Sequence, residues 1–391
     1  EIEMAASKSL ATVGLMWPEG GIITLLSLVL RSARETVLKG GSVALLQRLA
    51  ALIGAAHVGC LLRRWTRFHV YIPNAAKERH RLLPSPAASK IFRRSHLVSR
   101  VHEPLWLRWR RWSPQQLGPG ERPKCCIFLL HGAAEHIDRY EAFAQALCKE
   151  LQCVIYGYDH LGHGGSEGDR AHYEKFTDYA ADFRGVIEQI LSIEAEDTPD
   201  WDVASLPRFA VGHSVGAATA VLALKEEFQE KSSLSDWRGA VLLSLPVEAS
   251  VESAPPAVCF GGRLLYKFLP QCHLDPIPSS RMSRSLGSAA CYDLDPLIWK
   301  GGKPFHAGIA FLDALDGVRQ AFVSLPLPFF AAHGSADGVV TCRGAEAAVK
   351  DAIATDKTFL RYEGARHELL MEESICEELT TKVARWIANR R

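Results

Sequence analysis

The chain has 391 residues, of which 48% are apolar and 23% charged, an ordinary globular balance that excludes wholesale disorder and suits one large core or two domains. The formal net charge of +1 hides an uneven distribution: residues 63–112 hold 13 Lys or Arg against only Glu78 and Glu103, and the part beyond is acidic. Ten scattered cysteines form no C-x-x-C pair and no Cys/His cluster at zinc spacing, so they read as buried free thiols of a reducing compartment.

Taken in chain order, residues 1–94 read as a leader that is first apolar and then basic. Residues 21–30 (GIITLLSLVL) and 43–62 (VALLQRLAALIGAAHVGCLL) are greasy, and the second runs into Arg63, Arg64 and Arg67. A stretch of about 20 residues fits a bilayer. Against a span stand Gln47, Arg48 and His57, since an Arg near mid-membrane costs roughly 2.5–3.5 kcal/mol. A span, an interfacial amphipathic helix and a targeting leader all remain open. Residues 73–104, with four prolines among arginines, look like a linker.

From about residue 105, apolar runs alternate with helical patterns, as in strands joined by crossover helices into a mostly parallel sheet. Strands are predicted at Leu105–Trp112 (outer, antiparallel), Cys125–Leu130, Cys153–Asp159, Arg208–His213, Ala240–Leu245, Pro328–His333 and Thr358–Tyr362. Helices are predicted at Tyr140–Leu151, Phe176–Ile193, Ala217–Phe228, Gly344–Ile353 and Glu373–Asn389. The alternation breaks at about 247–319, and a segment that long inside a compact domain reads as a cap over the site. The fold class is therefore α/β, with helices on both faces of the sheet and an inserted cap; the domain proper spans 95–391.

The strongest local signal is Gly212-His213-Ser214-Val215-Gly216, placed directly between a predicted strand and a predicted helix. A serine hydroxyl is a poor nucleophile until a base removes its proton, so a histidine and an orienting acid must follow. Asp337 follows the run Phe329–Ala332, and His367 follows Phe359–Tyr362, each just past a late strand. The oxyanion of an acyl-transfer intermediate needs two backbone donors. Val215 supplies one, and Ala133, in the His131-Gly132-Ala133 turn after an early strand, is the second candidate. His160 and His163 stand three apart in a glycine-rich loop without further zinc ligands, so they read as a structural turn and no metal is assigned. No phosphate-binding or dinucleotide loop is present, and no cofactor is expected.

In order along the chain, HGAAEHIDRY, DHLGHGGSEG, GHSVG, DLDPLIWKGG, HGSADGVV and YEGARH together resemble the monoacylglycerol lipases and similar lysophospholipase-like α/β-hydrolases, of the serine aminopeptidase S33 type. The resemblance covers roughly residues 95–391. It implies the triad Ser214, Asp337 and His367, an oxyanion hole of Ala133 and Val215, and a polar end lined by Glu135, Arg139 and Tyr292 where a glycerol-like leaving group binds. Glu135 and Arg139 are also four apart, so an ion pair at a helix start is the equal alternative. LLYKFLP and IPSSRMSR resemble a lipase lid over an acyl tunnel. One departure is Leu370, where animal monoacylglycerol lipases carry a second histidine; the HELL pattern is closer to the bacterial relatives.

These observations predict a serine hydrolase that cleaves a monoacylglycerol to fatty acid and glycerol. A lysophospholipase or general carboxylesterase is the alternative, and a non-catalytic binding protein of the same fold is the alternative of another class. The expected partners are a lipid ester and a membrane surface met through the N-terminal region, not nucleic acid, with an intracellular, membrane-associated location.

Overall fold

The computed structural model describes residues 96–101, 105–114, 121–197, 201–255, 259–260, 263 and 276–391. The apolar leader and the LLYKFLP segment lie outside the described residues. By its contacts the chain divides into two compact units. One comprises Pro84–Ala254, Ile277–Lys300 and Ala310–Arg391; the other comprises Glu1–Leu83, Pro255–Pro276 and Gly301–Ile309. The division therefore runs inside the segment 247–319, which was expected to form one cap.

The first unit carries an eight-stranded sheet: β1 (His96–Val98), β2 (Trp106–Trp112), β3 (Cys126–Leu130), β4 (Val154–Tyr158), β5 (Arg208–His213), β6 (Trp237–Leu243), β7 (Phe329–Gly334) and β8 (Lys357–Tyr362). Their spatial order is β1-β2-β4-β3-β5-β6-β7-β8. All pairs from β4 onward are parallel, while β1 and β2 are antiparallel to their neighbours. The connecting helices are α1 (Glu141–Leu151), α2 (Thr177–Asp197), α3 (Val215–Lys231), α4 (Ser279–Met282), α5 (Leu286–Leu294), α6 (Phe305–Val323), α7 (Cys342–Asp351) and α8 (Cys376–Ala388). The 19-residue α6 was not anticipated: its first part falls in the stretch read as cap. β1 was also missed, being only three residues long.

Buried parallel strands show both faces to the core and so read as unbroken apolar runs. β3 and β4 are buried at every position. Ile127, Leu129 and Ile155 pack with Leu147 of α1 and Leu379, Val383 and Trp386 of α8. On the other face Phe128 meets Tyr156 and Phe183 of α2, and α2 packs on α3. Each layer is thus apolar on the side that faces the sheet and polar outside.

From β3 the chain moves outward to β4, then returns past β3 to β5. The loops after β3 and β5 consequently leave in opposite directions, and sheets of this kind place their ligands at the carboxyl ends of strands that diverge in this way. The arginines of β2 that swell the basic stretch are internally paired: Arg108 with Asp138 and Asp159, Arg110 with Asp138 and Glu141, Arg111 with Glu194. Among the described residues no helix is long and apolar enough to cross a membrane.

Candidate active site

Ser214 occupies the turn between β5 and α3 with φ 51° and ψ −116°, a conformation unfavourable for any residue with a side chain. The surroundings hold it there. The Ser214 amide donates to the Leu243 carbonyl at 2.9 Å, and both motif glycines are places where backbones meet. A Cβ on Gly216 would lie 2.6 Å from the Leu130 carbonyl carbon and 2.7 Å from the His131 oxygen, and one on Gly212 would strike the first turn of α3. Only glycine permits the helix to begin this close to β3.

The Ser214 hydroxyl donates to His367 Nε2 at 2.9 Å, and His367 Nδ1 donates to Asp337 Oδ2 at 2.7 Å. All three residues are buried, and they come from the loops after β5, β8 and β7. The His367 carbonyl is gripped by the Ser244 hydroxyl at 2.7 Å and by His213 Nε2 at 3.2 Å, which fixes the base from behind. Burial alone would raise the Asp337 carboxyl, but His367 and His333 outweigh it and hold it well below the usual carboxylate range. Its Oδ1 accepts the amides of Val339 and Val340 at 2.8 and 3.1 Å.

Leu130 pairs in register with Gly212, so Ala133 and Val215 each lie three residues beyond matched positions on adjacent strands. Val215 opens α3, and a first-turn amide has no partner within its own helix. The loop bearing Ala133 is braced by buried histidines. His131 Nε2 accepts the His160 amide at 2.9 Å, so the proton sits on Nδ1 and is donated to the Gly132 carbonyl at 2.7 Å. Burial and the neighbouring His160 and His163 push His131 well below the ordinary histidine range, keeping it neutral. His160 Nε2 donates to the His131 carbonyl at 3.1 Å and His163 bonds the Leu161 carbonyl, so both act as parts of the loop framework.

Glu135 is buried and saturated. One oxygen accepts the Gly132 amide (2.5 Å), the Tyr140 hydroxyl (2.7 Å) and His213 Nδ1 (3.1 Å); the other accepts Arg139. Arg139 also forms a fork with Glu368 at 2.7 and 2.8 Å, and its guanidinium lies 5.2 Å from the ring centre of Tyr292 on α5. Burial would raise Glu135, yet Arg139 and His213 hold it well below its usual range. His213 shifts the other way: burial lowers it, but the hydrogen bond and charge of Glu135, with Glu368, raise it overall. Both of its nitrogens face acceptors, so the ring carries two protons, and Glu135, Glu368, Arg139 and His213 together form a neutral buried set. Residues 295–299 dock on the same loop through His136 to Asp295 at 2.8 Å and the Trp299 amide to Ala134 at 2.8 Å.

The structure therefore brings Ser214, His367 and Asp337 into one hydrogen-bonded line, with Ala133 on the loop after β3 and Val215 at the start of α3. It ties Glu135 to Arg139 while setting Tyr292 beside them. His213, Ser244, His333 and Glu368 were not singled out in the sequence. His213 and His333 lie inside the motifs, but their roles come from contacts far apart in the chain.

A mostly parallel sheet with a strained serine at a strand-to-helix turn and a histidine and acid on later loops is the architecture of the α/β hydrolases. The model of the family described as "Serine aminopeptidase, S33" matches residues 121–374. The rat monoglyceride lipase is 34% identical over 300 residues, 75% of this chain and 90% of that protein. The monoacylglycerol lipase of Mycolicibacterium smegmatis is 28% identical over 65% of this chain and 85% of its own. Among solved structures, the Paleococcus ferrophilus monoacylglycerol lipase superposes with a TM-score of 0.61 at 20% identity, covering 73% of this chain and 99% of its own. A soluble variant of the Saccharomyces cerevisiae monoglyceride lipase gives 0.62 at 16%, covering 76% and 95%. This chain belongs to the S33 family, among the monoacylglycerol lipase-like α/β-hydrolases.

Proposed function

We propose that the protein hydrolyses the carboxylic ester of a monoacylglycerol to fatty acid and glycerol through an acyl-enzyme on Ser214. The observation that carries this reading is the line from Ser214 through His367 to Asp337. As the Ser214 oxygen attacks the ester carbonyl, His367 Nε2 takes its proton, and Asp337 balances the imidazolium without itself being protonated. The amides of Ala133 and Val215 receive the oxyanion. His367 returns the proton to the leaving alcohol, and water repeats the cycle to release the acid.

The substrate class is supported by relatives named monoglyceride lipases that align over 90% of their length. In this reading Glu135 and Arg139 brace the oxyanion loop against the base loop, because their polar atoms are engaged within the protein, and Tyr292 closes the polar end beside them. The apolar and basic leader brings the enzyme to an intracellular membrane surface, which co-flotation of the full chain with anionic vesicles tests.

Lysophospholipid is the second reading, favoured by Leu370, whose side chain packs against the core where the animal enzymes carry a histidine. The test compares a long-chain monoacylglycerol, the matching lysophosphatidylcholine and a short nitrophenyl ester, with Ser214→Ala as control. Preferred turnover of the monoacylglycerol supports the first reading. Turnover of only the lysophospholipid replaces it with the second, and turnover of only the short ester removes both.

A further inference from the structure

His333 is the penultimate residue of β7, and its ring is 1% exposed. Its Nε2 lies 3.1 Å from Asp337 Oδ2, the same oxygen that receives His367 Nδ1, and 3.4 Å from the Val340 carbonyl. Both neighbours only accept: one is an ionised carboxylate, the other a peptide oxygen. A bare Nε2 would set a lone pair against both, so the proton must sit there.

We propose that His333 is a positioning residue for Asp337: it shares Nε2–H between the Val340 carbonyl and the carboxylate oxygen that receives His367, holding that oxygen in place and taking up part of its charge. The inference rests on the triad reading above. Asp337 then accepts two amides on Oδ1 and His367 Nδ1 on Oδ2, with His333 Nε2 3.1 Å from the same Oδ2, so polar hydrogen faces both of its oxygens and resists rotation. Among the described residues Cys342, at the start of α7, also feels this carboxylate, and burial pushes its thiol up and keeps it neutral. Shared between two donors, Asp337 stabilises the imidazolium of His367 but does not draw its proton across. A lone carboxylate would act on His367 with its full charge.

The test uses the full chain labelled with ¹⁵N in its imidazoles. Two-bond nitrogen–proton correlations should place the His333 proton on Nε2, and a proton on Nδ1 overturns the proposal without reference to activity. His333→Phe removes the donor at similar volume, while His333→Gln offers an amide N–H at the same reach. For His333→Phe, kcat should fall about tenfold with KM unchanged, as expected for losing a hydrogen bond to a charged group. Its acid limb should move to higher pH by about half a unit or more, because Asp337 then acts on His367 alone. His333→Gln should restore most of both. An unshifted acid limb in folded His333→Phe, or a Gln variant as impaired as Phe, overturns the proposal. Native protein that hydrolyses no ester would sink the triad reading instead, and the proton's position would still be decided by the spectra.

Discussion

Gly334→Ala tests how closely the base loop is held. A Cβ at this position would sit 2.7 Å from the carbonyl carbon of Ala365 and strike the oxygens of Ala365 and Arg366, where ordinary contacts begin at 3.4 Å. One backbone must give by more than about 0.7 Å, since the two oxygens lie closer still than the carbonyl carbon, and overpacking of this kind costs about 1–3 kcal/mol. Ala365 and Arg366 immediately precede His367, whose Nε2 stands 2.9 Å from the Ser214 oxygen. Misplacing a reacting group by about 1 Å costs about 100-fold, so kcat/KM on a monoacylglycerol should fall between about 10- and 100-fold. Urea unfolding of the same preparation gives the stability loss. Gly317→Ala is the control: it is exposed within α6, nothing lies within 4 Å of its would-be Cβ, and it should keep full activity and gain about 1 kcal/mol. A folded Gly334→Ala variant with activity within threefold of native would refute the reasoning.

Ser214→Ala should lower kcat by about 10⁶-fold and leave the unfolding midpoint nearly unchanged; measurable burst kinetics in that variant would remove Ser214 as nucleophile. Asp337→Asn should cost about 10⁴-fold, because His367 would present the wrong tautomer to the serine; a loss below tenfold in kcat points to another acid. Arg139→Met leaves Glu135 and Glu368 buried without their shared cation and should cost about 3–5 kcal/mol. Equal urea midpoints for native and variant would contradict this. The depressed Asp337 and Glu135 contribute stability that is present above about pH 4 and lost as pH falls through their folded values. The raised His213 contributes stability that is full below about pH 6.5 and lost as pH rises through its folded value, so His213→Gln should flatten the alkaline side of a midpoint-versus-pH curve. An unchanged alkaline slope would show that His213 is not the group titrating.

The sheet was legible because its strands are buried on both faces: CIFLL and VIYGY can hide only between two layers of helices. The serine, acid and base were legible because each stands just past such a run. What lay hidden depends on partners distant in the chain. β1 is a strand only because β2 lies beside it, and Asp182 of α2 secures the following turn through the Ser99 hydroxyl at 2.8 Å and the Arg100 amide at 2.7 Å. Arg108, Arg110 and Arg111 look like part of a basic surface in one dimension, yet folding brings Asp138, Asp159, Glu141 and Glu194 to them. Likewise, nothing in the spacing of His213 indicates that Glu135, 78 positions earlier, will keep it protonated. Helix α6 was lost for another reason: the break in alternation was taken as one insertion, although FHAGIAFLDALDGVRQAFV has apolar residues at helical spacing from its start.

The short strand β1 bears on how a shortened chain would behave. It covers the outer edge of β2, pairing His96 with Arg108 and Val98 with Trp106. Uncovered, β2 would offer its free amides and carbonyls, flanked by tryptophans, to any extended segment nearby, including the same strand of another molecule. A deletion that reaches past Val98 should therefore promote edge-to-edge self-association, even with every residue around Ser214 in place.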